Sequence, residues 1–515
     1  MRGYREGRWP FPFCCSTPLQ KPLPLALLGL AALWAAWLPD GNLPLIDSHP
    51  FNGQRVGVVG FVTITTLVTI LFSLLPRRKP LFGPWPLTGT ATGLVAVVLG
   101  LGLVSAITSA RPGAALFEWS FFLLAMLALT GLAIWVRGAG PRGAWILIAG
   151  ILAGVILILG QIYAGYLWAT FAREVPLFWS SPFFGFGNIR FFNQYQAWTL
   201  PLWPAALAWA IPRSRTLAVL LIITGGGWWA LLLASGGRGP LVALTVATLV
   251  ALLTLRPQAR QWLGWQAVLL VLGLGLYTSL FVIPDLGSPG LGRASDALAQ
   301  TDHARLTLWS QSLDFIRQNP LLGIGPMHFA LGGGFNGISH PHNAPLQLAA
   351  EWGLPAAFLA ASLVVWSLVL LGRHLGGFRE GPEATLALAL WSSVLSGGAY
   401  AFVSGVIVMP VSQGLLLLVA GSAWGLASLQ GTREQAPPTA TKGPRIASPH
   451  LALLGLALVA SGYTLTTIER HMSQLADVER AFAQRHTGLN PRIWLQGRLD
   501  FRPWSNRLPS PTTER

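Results

Sequence analysis

The chain has 515 residues, of which 53% are hydrophobic and only 10% charged. A soluble domain carries about 25% charged residues, so this sequence has too little polar surface for a water-soluble fold of its size. The formal net charge of +16 would suggest nucleic acid on a soluble protein. Here the basic residues sit mainly in short loops between apolar runs, where membrane topology accounts for them, and no nucleic-acid partner is expected.

The basic start, MRGYREGR, precedes an apolar run at 22–39. It resembles a signal sequence, but the run ends AAWLPDG without a small-x-small cleavage site and reads as an uncleaved first membrane helix. Cys14 and Cys15 are adjacent and fit neither a disulfide framework nor a metal spacing. Further apolar runs fall near 56–76, 86–109, 114–136, 143–166, 195–211, 216–234, 240–255, 262–284, 345–371, 384–404, 411–429 and 449–467. Each approaches the ~20 residues that a bilayer needs. An aromatic loop, EVPLFWSSPFFGFGNIRFFNQ, divides the fifth and sixth runs. A longer loop occupies 284–343, and a Pro- and Thr-rich linker runs from Gln430 to Arg445. One helical stretch, Ile468 to Gln484, is expected in the tail.

The expected fold is therefore an all-α polytopic membrane protein with about 12–13 transmembrane helices and a large periplasmic loop carrying short helices. Its expected parts are an N-terminal bundle over 1–284, the loop over 285–344, further spans over 345–467 and a polar tail over 468–515. With the N-terminus inside, alternation places eighteen basic loop residues on the inner face and eight on the outer one, as the positive-inside preference requires. The outer eight include Arg55, Arg190, Arg238 and Arg305. Cations placed against that preference call for an anion at that face.

The outer segments carry the candidate chemistry. Arg238 lies in SGGRGPL, whose glycines permit a tight turn and close approach to a ligand. Arg305 opens an expected amphipathic helix with Leu306, Trp309, Leu313 and Ile316 at helical spacing. Arg190 lies in GNIRFFNQY. Guanidinium groups stay charged and match phosphate oxygens with a planar fork, so three around one mouth suit a pyrophosphate. Taken singly, each also fits a loop residue meeting lipid headgroups. His342 can take a proton near neutral pH and suits general-base work on a hydroxyl. Asn343, Gln347 and Glu351 recur every four residues and share one helix face. His328 and His340 read as satisfied loop histidines. The HxH pair lacks a third ligand at a recognisable spacing, and no metal is expected. Phe178, Trp179, Phe183, Phe184 and Phe186 suit either sugar stacking or an interfacial aromatic belt.

The stretch PLLGIG…F…HPHNAPLQLAAEWG resembles the O-antigen ligase and polymerase superfamily of bacterial inner-membrane proteins. Pro320, Gly323, Gly325, Phe329, His342, Asn343, Glu351 and Gly353 carry the likeness. Arg305 with Leu308 and Trp309, the glycine-framed Arg238 and Asn193 in FFNQYQAWTLPL extend it over about residues 185–355. A thirteenth span and an outer tail depart from a twelve-helix ligase. The resemblance implies a multi-pass protein of the bacterial inner membrane with its site facing the periplasm. It implies an undecaprenyl-diphosphate-linked glycan donor, a hydroxyl acceptor on lipid A-core, another glycan or a protein, and no metal or nucleotide cofactor. His342 and Arg238 would be catalytic, with Arg238, Arg305 and Arg190 on the diphosphate. Asn343, Gln347, Glu351, Asn193 and His340 would support them. A transporter is the rival of a different class, with Ser396 to Tyr400 as a helix break. A metal-dependent transferase using Asp40 and Asp47 is another.

Overall fold

The computed structural model describes residues 29, 32–34, 36, 50–74, 89–172, 186, 189–283, 303–331, 339–431 and 448–472. Most of the first predicted span, both cysteines, Asp40 and Asp47, residues 174–185 and 187–188 of the aromatic loop, the linker from 432 on and the tail beyond 472 lie outside them. Every regular element among the described residues is helical. The sequence requires this, because a segment in hydrocarbon must satisfy its own backbone polar groups. In chain order the helices are α1 (Pro50–Leu74), α2 (Gly89–Thr108), α3 (Pro112–Ala139), α4 (Pro141–Ala172), α5 (Ile189–Thr199), α6 (Trp203–Ala210), α7 (Arg215–Ala234) and α8 (Arg238–Thr254). Then follow α9 (Arg256–Tyr277), α10 (His303–Gln318), α11 (His328–Leu331), α12 (Ala344–Trp352), α13 (Leu354–Leu375), α14 (Gly381–Tyr400), α15 (Pro410–Gly431) and α16 (Ser448–Met472). Eight described helices are long and apolar enough to cross a membrane, and the chain is an all-α polytopic membrane protein.

Three predicted elements change. The span at 195–211 is α5 and α6 joined by a 3₁₀ turn at Leu200–Leu202. Pro201 and Pro204 lack the N–H that a continuous α-helix needs there. The span at 345–371 is α12 and α13, broken at Gly353 with φ 88° and ψ 163°. Arg55, expected in an outer loop, lies inside α1 and is 1% exposed.

Small residues bring the helices together, as in other membrane bundles. A Cβ at Gly273 of α9 would fall 2.4 Å from the Trp229 Cβ of α7, and one at Gly425 of α15 would fall 2.6 Å from the Ala133 carbonyl of α3. The two ends of the bundle differ. At one end Leu255 packs on Gly376, Gln430 on Gly377, and Thr385 hydrogen-bonds Gln261. At the other end α5, α8, α10, α12 and the segment after α14 meet, and there the polar side chains gather.

The break at Gly353 lets the chain from Pro320 to Gly325 lie along the end of α12. Leu354 N–H donates to Pro320 O at 2.8 Å, Ile324 N–H to Ala350 O at 2.9 Å and Gly325 N–H to Glu351 O at 2.9 Å. A Cβ at Gly353 would fall 2.1 Å from Leu321 O. Gly353→Ala is expected to cost about 1–3 kcal/mol from backbone strain alone. Gly398→Ala, at a position with no atom within 4 Å of the new Cβ, should be close to neutral. Thermal denaturation of both variants in detergent checks the contrast.

Candidate functional site

The site is built on the turn His340-Pro341-His342. His342 has φ 55°, a left-handed conformation uncommon outside glycine. Three groups hold it there. His342 N–H donates to His340 Nδ1 at 3.2 Å, which leaves the His340 proton on Nε2. Trp309 of α10 donates its indole N–H to Pro341 O at 3.0 Å. Asn343 caps α12, accepting Leu346 N–H on Oδ1 at 2.9 Å and donating from Nδ2 to Phe402 O at 3.1 Å. Ala344 N–H donates to Ala401 O at 2.9 Å, so the start of α12 is fastened to the end of α14.

The two imidazoles meet edge to face with centroids 4.2 Å apart. Gly405 lies against His340 so closely that a Cβ would fall 2.4 Å from Cε1. The segment carrying Gly405 is braced from the membrane side. Arg55 donates to Val408 O at 2.7 Å and to Gln413 Oε1 at 3.0 Å, and Gln413 donates to Ile407 O at 2.6 Å.

His342 is only partly exposed. Burial first, then the positive charges of Arg190 and Arg305, push its pKa down from 6.5 to about 3. The imidazole is therefore neutral at physiological pH, its form for accepting a proton. Arg190 projects from the first turn of α5 and Arg305 from the first turn of α10. Arg238 is the first residue of α8 and is exposed. Its glycine frame has visible reasons. Gly236 turns at φ 63°, and a Cβ at Gly237 would fall 2.6 Å from Asn193 Oδ1. Gly239 lies against the Tyr400 ring, 2.5 Å from Cε2 to an ideal Cβ. Asn193 donates to Ser235 Oγ at 2.7 Å, and that oxygen also accepts Gly237 N–H at 3.3 Å. Asn193 thus sets the turn that presents Arg238.

Gln347 and Glu351 bond within α12 and to neighbouring segments. Gln347 donates to Glu351 Oε2 at 3.2 Å, and Glu351 Oε1 accepts Phe329 N–H at 3.1 Å. Ser105 of α2 donates to Glu351 O at 3.0 Å. Both side chains are buried; the Glu351 carboxylate ties α11 to α12, and its backbone carbonyl ties α2 to α12. The i, i+4 stripe thus divides into a cap, Asn343, and a brace, Gln347 with Glu351. His328 accepts Arg111 N–H on Nε2 at 3.0 Å and lies 2.9 Å from Pro326 O through Nδ1, which fixes a neutral tautomer.

The sequence pattern did not point to Gln194, Tyr400, Ser404 or Gly405 as neighbours of the site. Gln194 follows Arg190 by one helical turn, a spacing that puts it on the arginine's face. The others come from the far end of α14, and no local spacing links them to the histidines.

Residues 216–361 match the family model described as O-antigen ligase. Over this segment the chain is similar to the O-antigen ligase family. The segment contains Arg238, Arg305 and the whole His340–Glu351 stretch, whereas Arg190, Asn193 and Tyr400 lie outside it. No curated protein matches the chain significantly. The family match supports an activity of the ligase or glycosyltransferase type, acting on glycan and lipid-linked substrates in general.

Removing a neighbouring positive charge raises a histidine pKa. Arg305→Gln is therefore expected to move His342 upward from about 3. It should stay below the ordinary value, because burial is the larger influence. Titration of ¹⁵N-labelled histidines in detergent checks both the direction and the ceiling.

Proposed function

We propose that the protein transfers a glycan from an undecaprenyl-diphosphate carrier to a hydroxyl acceptor at the periplasmic face of the bacterial inner membrane. The acceptor we favour is lipid A-core, as in an O-antigen ligase. A glycan repeat or a protein hydroxyl would use the same chemistry. The observation that carries this reading is a neutral, partly exposed His342 within electrostatic reach of Arg190 and Arg305, inside a stretch matching the O-antigen ligase model.

The acceptor oxygen attacks the anomeric carbon as the bond from that carbon to the phosphate oxygen breaks. One C–O bond forms, one breaks, and direct displacement inverts the configuration. The leaving diphosphate gains negative charge as the bond stretches. Guanidinium groups fixed beforehand stabilise that charge more in the transition state than in the ground state. Arg190, Arg238 and Arg305 supply them. The acceptor proton passes to His342. A pKa near 3 makes this imidazole a weak base while both guanidiniums act on it. A diphosphate between the arginines offsets their charge, so His342 gains basicity when donor is present. The base is then strongest when there is a reaction to catalyse. His340 and Asn343 orient it through the turn they hold, and Asn193 orients Arg238. No step needs a metal, and transfer should persist in the presence of chelator.

His342→Ala is expected to lower kcat/KM for glycan transfer in membranes by about 100- to 10,000-fold, the usual range for loss of a general base. Arg238→Ala should lower it by about 10- to 100-fold through loss of a charge-assisted contact. Near-wild-type transfer in both variants would sink the mechanism. Activity abolished by chelator would favour a metal-dependent transferase instead.

A further inference from the structure

Tyr400, the last residue of α14, is 5% exposed and lies beside the site. Its ring packs under the first turn of α8. An ideal Cβ on Gly239 would fall 2.5 Å from Cε2 and 3.4 Å from Cζ, the carbon that bears the hydroxyl. The hydroxyl end of the ring therefore sits next to Arg238 and the N-terminus of a 17-residue helix. That terminus carries unsatisfied N–H groups and the positive end of the helix dipole. Arg190 and Arg305, the two cations that act on His342, also act electrostatically on Tyr400. The ring thus lies under the first turn of α8 and within electrostatic reach of Arg190 of α5 and Arg305 of α10.

The hydrogen bonds around the phenol have a direction. Gln194 Nε2 donates to Ser404 Oγ at 2.9 Å, and Ser404 hydrogen-bonds the Tyr400 side chain. A serine hydroxyl has one proton and two acceptor lone pairs. Gln194 occupies one Ser404 lone pair, so the serine keeps its own proton to donate to the phenol oxygen. A phenol oxygen that accepts from Ser404 has its own proton to donate elsewhere. A neutral O–H donor beside a helix N-terminus, within electrostatic reach of Arg190 and Arg305, is matched to an oxygen of an anion.

We propose that the Tyr400 hydroxyl donates a hydrogen bond to a phosphate oxygen of the polyprenyl-diphosphate donor, as a fourth ligand beside Arg190, Arg238 and Arg305. This rests on the donor assigned under the proposed function. It explains two features at once. Gly239 must be glycine for the ring to reach the first turn of α8, and the buried Gln194–Ser404 pair exists to orient the phenol.

The test is binding of polyprenyl diphosphate to the full-length chain in detergent, followed by intrinsic tryptophan fluorescence. Tyr400→Phe keeps the ring and removes only the hydroxyl, and its Kd is expected to rise about tenfold, as for loss of a hydrogen bond to a charged group. Ser404→Ala leaves the ring in place but unaims the phenol, and is expected to weaken binding about threefold, as for loss of a neutral hydrogen bond. Arg238→Ala serves as the comparison. Wild-type affinity in both the Tyr400 and Ser404 variants, with binding weakened in Arg238→Ala, overturns the role of Tyr400 and leaves the donor assignment standing. Wild-type affinity in all three, or no binding by the wild-type chain, overturns the donor assignment as well.

Discussion

The fastening of α12 to the end of α14 is the contact on which the site depends. Ala344 N–H meets Ala401 O, and Asn343 Nδ2 meets Phe402 O. These two bonds join segments far apart in the chain and lie beside His342, one of two described non-glycine residues held at positive φ. A strained turn persists only where its surroundings over-determine it. Here Trp309, His340 and the Asn343 cap all hold the same turn. Arg55 reaches the adjoining segment from the membrane side through Val408 and Gln413. A buried guanidinium is stable only with its hydrogen bonds made, so Arg55 and this segment hold one another in place.

The second constraint is electrostatic. A bilayer protein places cations where topology or a ligand requires them. Arg190, Arg238 and Arg305 each begin a helix on the same end of the bundle. In the proposed mechanism a diphosphate offsets their charge. Arg190 and Arg305 add to the effect of burial in lowering the His342 pKa, so these two cations and the imidazole are coupled. In the proposed mechanism, a diphosphate at the arginines strengthens the imidazole, which is how a buried histidine with so low a pKa would serve as a base.

Much of the helical architecture was legible in the apolar runs, because hydrocarbon length and backbone satisfaction leave few alternatives. What escaped was broken helices and buried charge. Gly353 sits within a continuous apolar run, and its special backbone angles come from the approach of Leu321, a contact that no local pattern encodes. Arg55 was counted as a loop residue because it precedes the apolar core of α1. The helix begins earlier, at Pro50, and buries the charge against α15. At the site, the glycine frame of Arg238 and the spacing of Asn343, Gln347 and Glu351 were readable. The partner of Glu351 was not, since Phe329 N–H lies across a loop. Tyr400 has no local signature at all. Only the folded arrangement brings it under Gly239.

The central claim is that three guanidiniums from α5, α8 and α10 converge on one diphosphate beside His342. Electron cryomicroscopy of the chain with bound polyprenyl diphosphate tests it most directly. The account predicts phosphate density among Arg190, Arg238 and Arg305, with the terminal phosphate oxygen facing His342. Density at another surface, with the three arginines pointing away from it, would contradict the account.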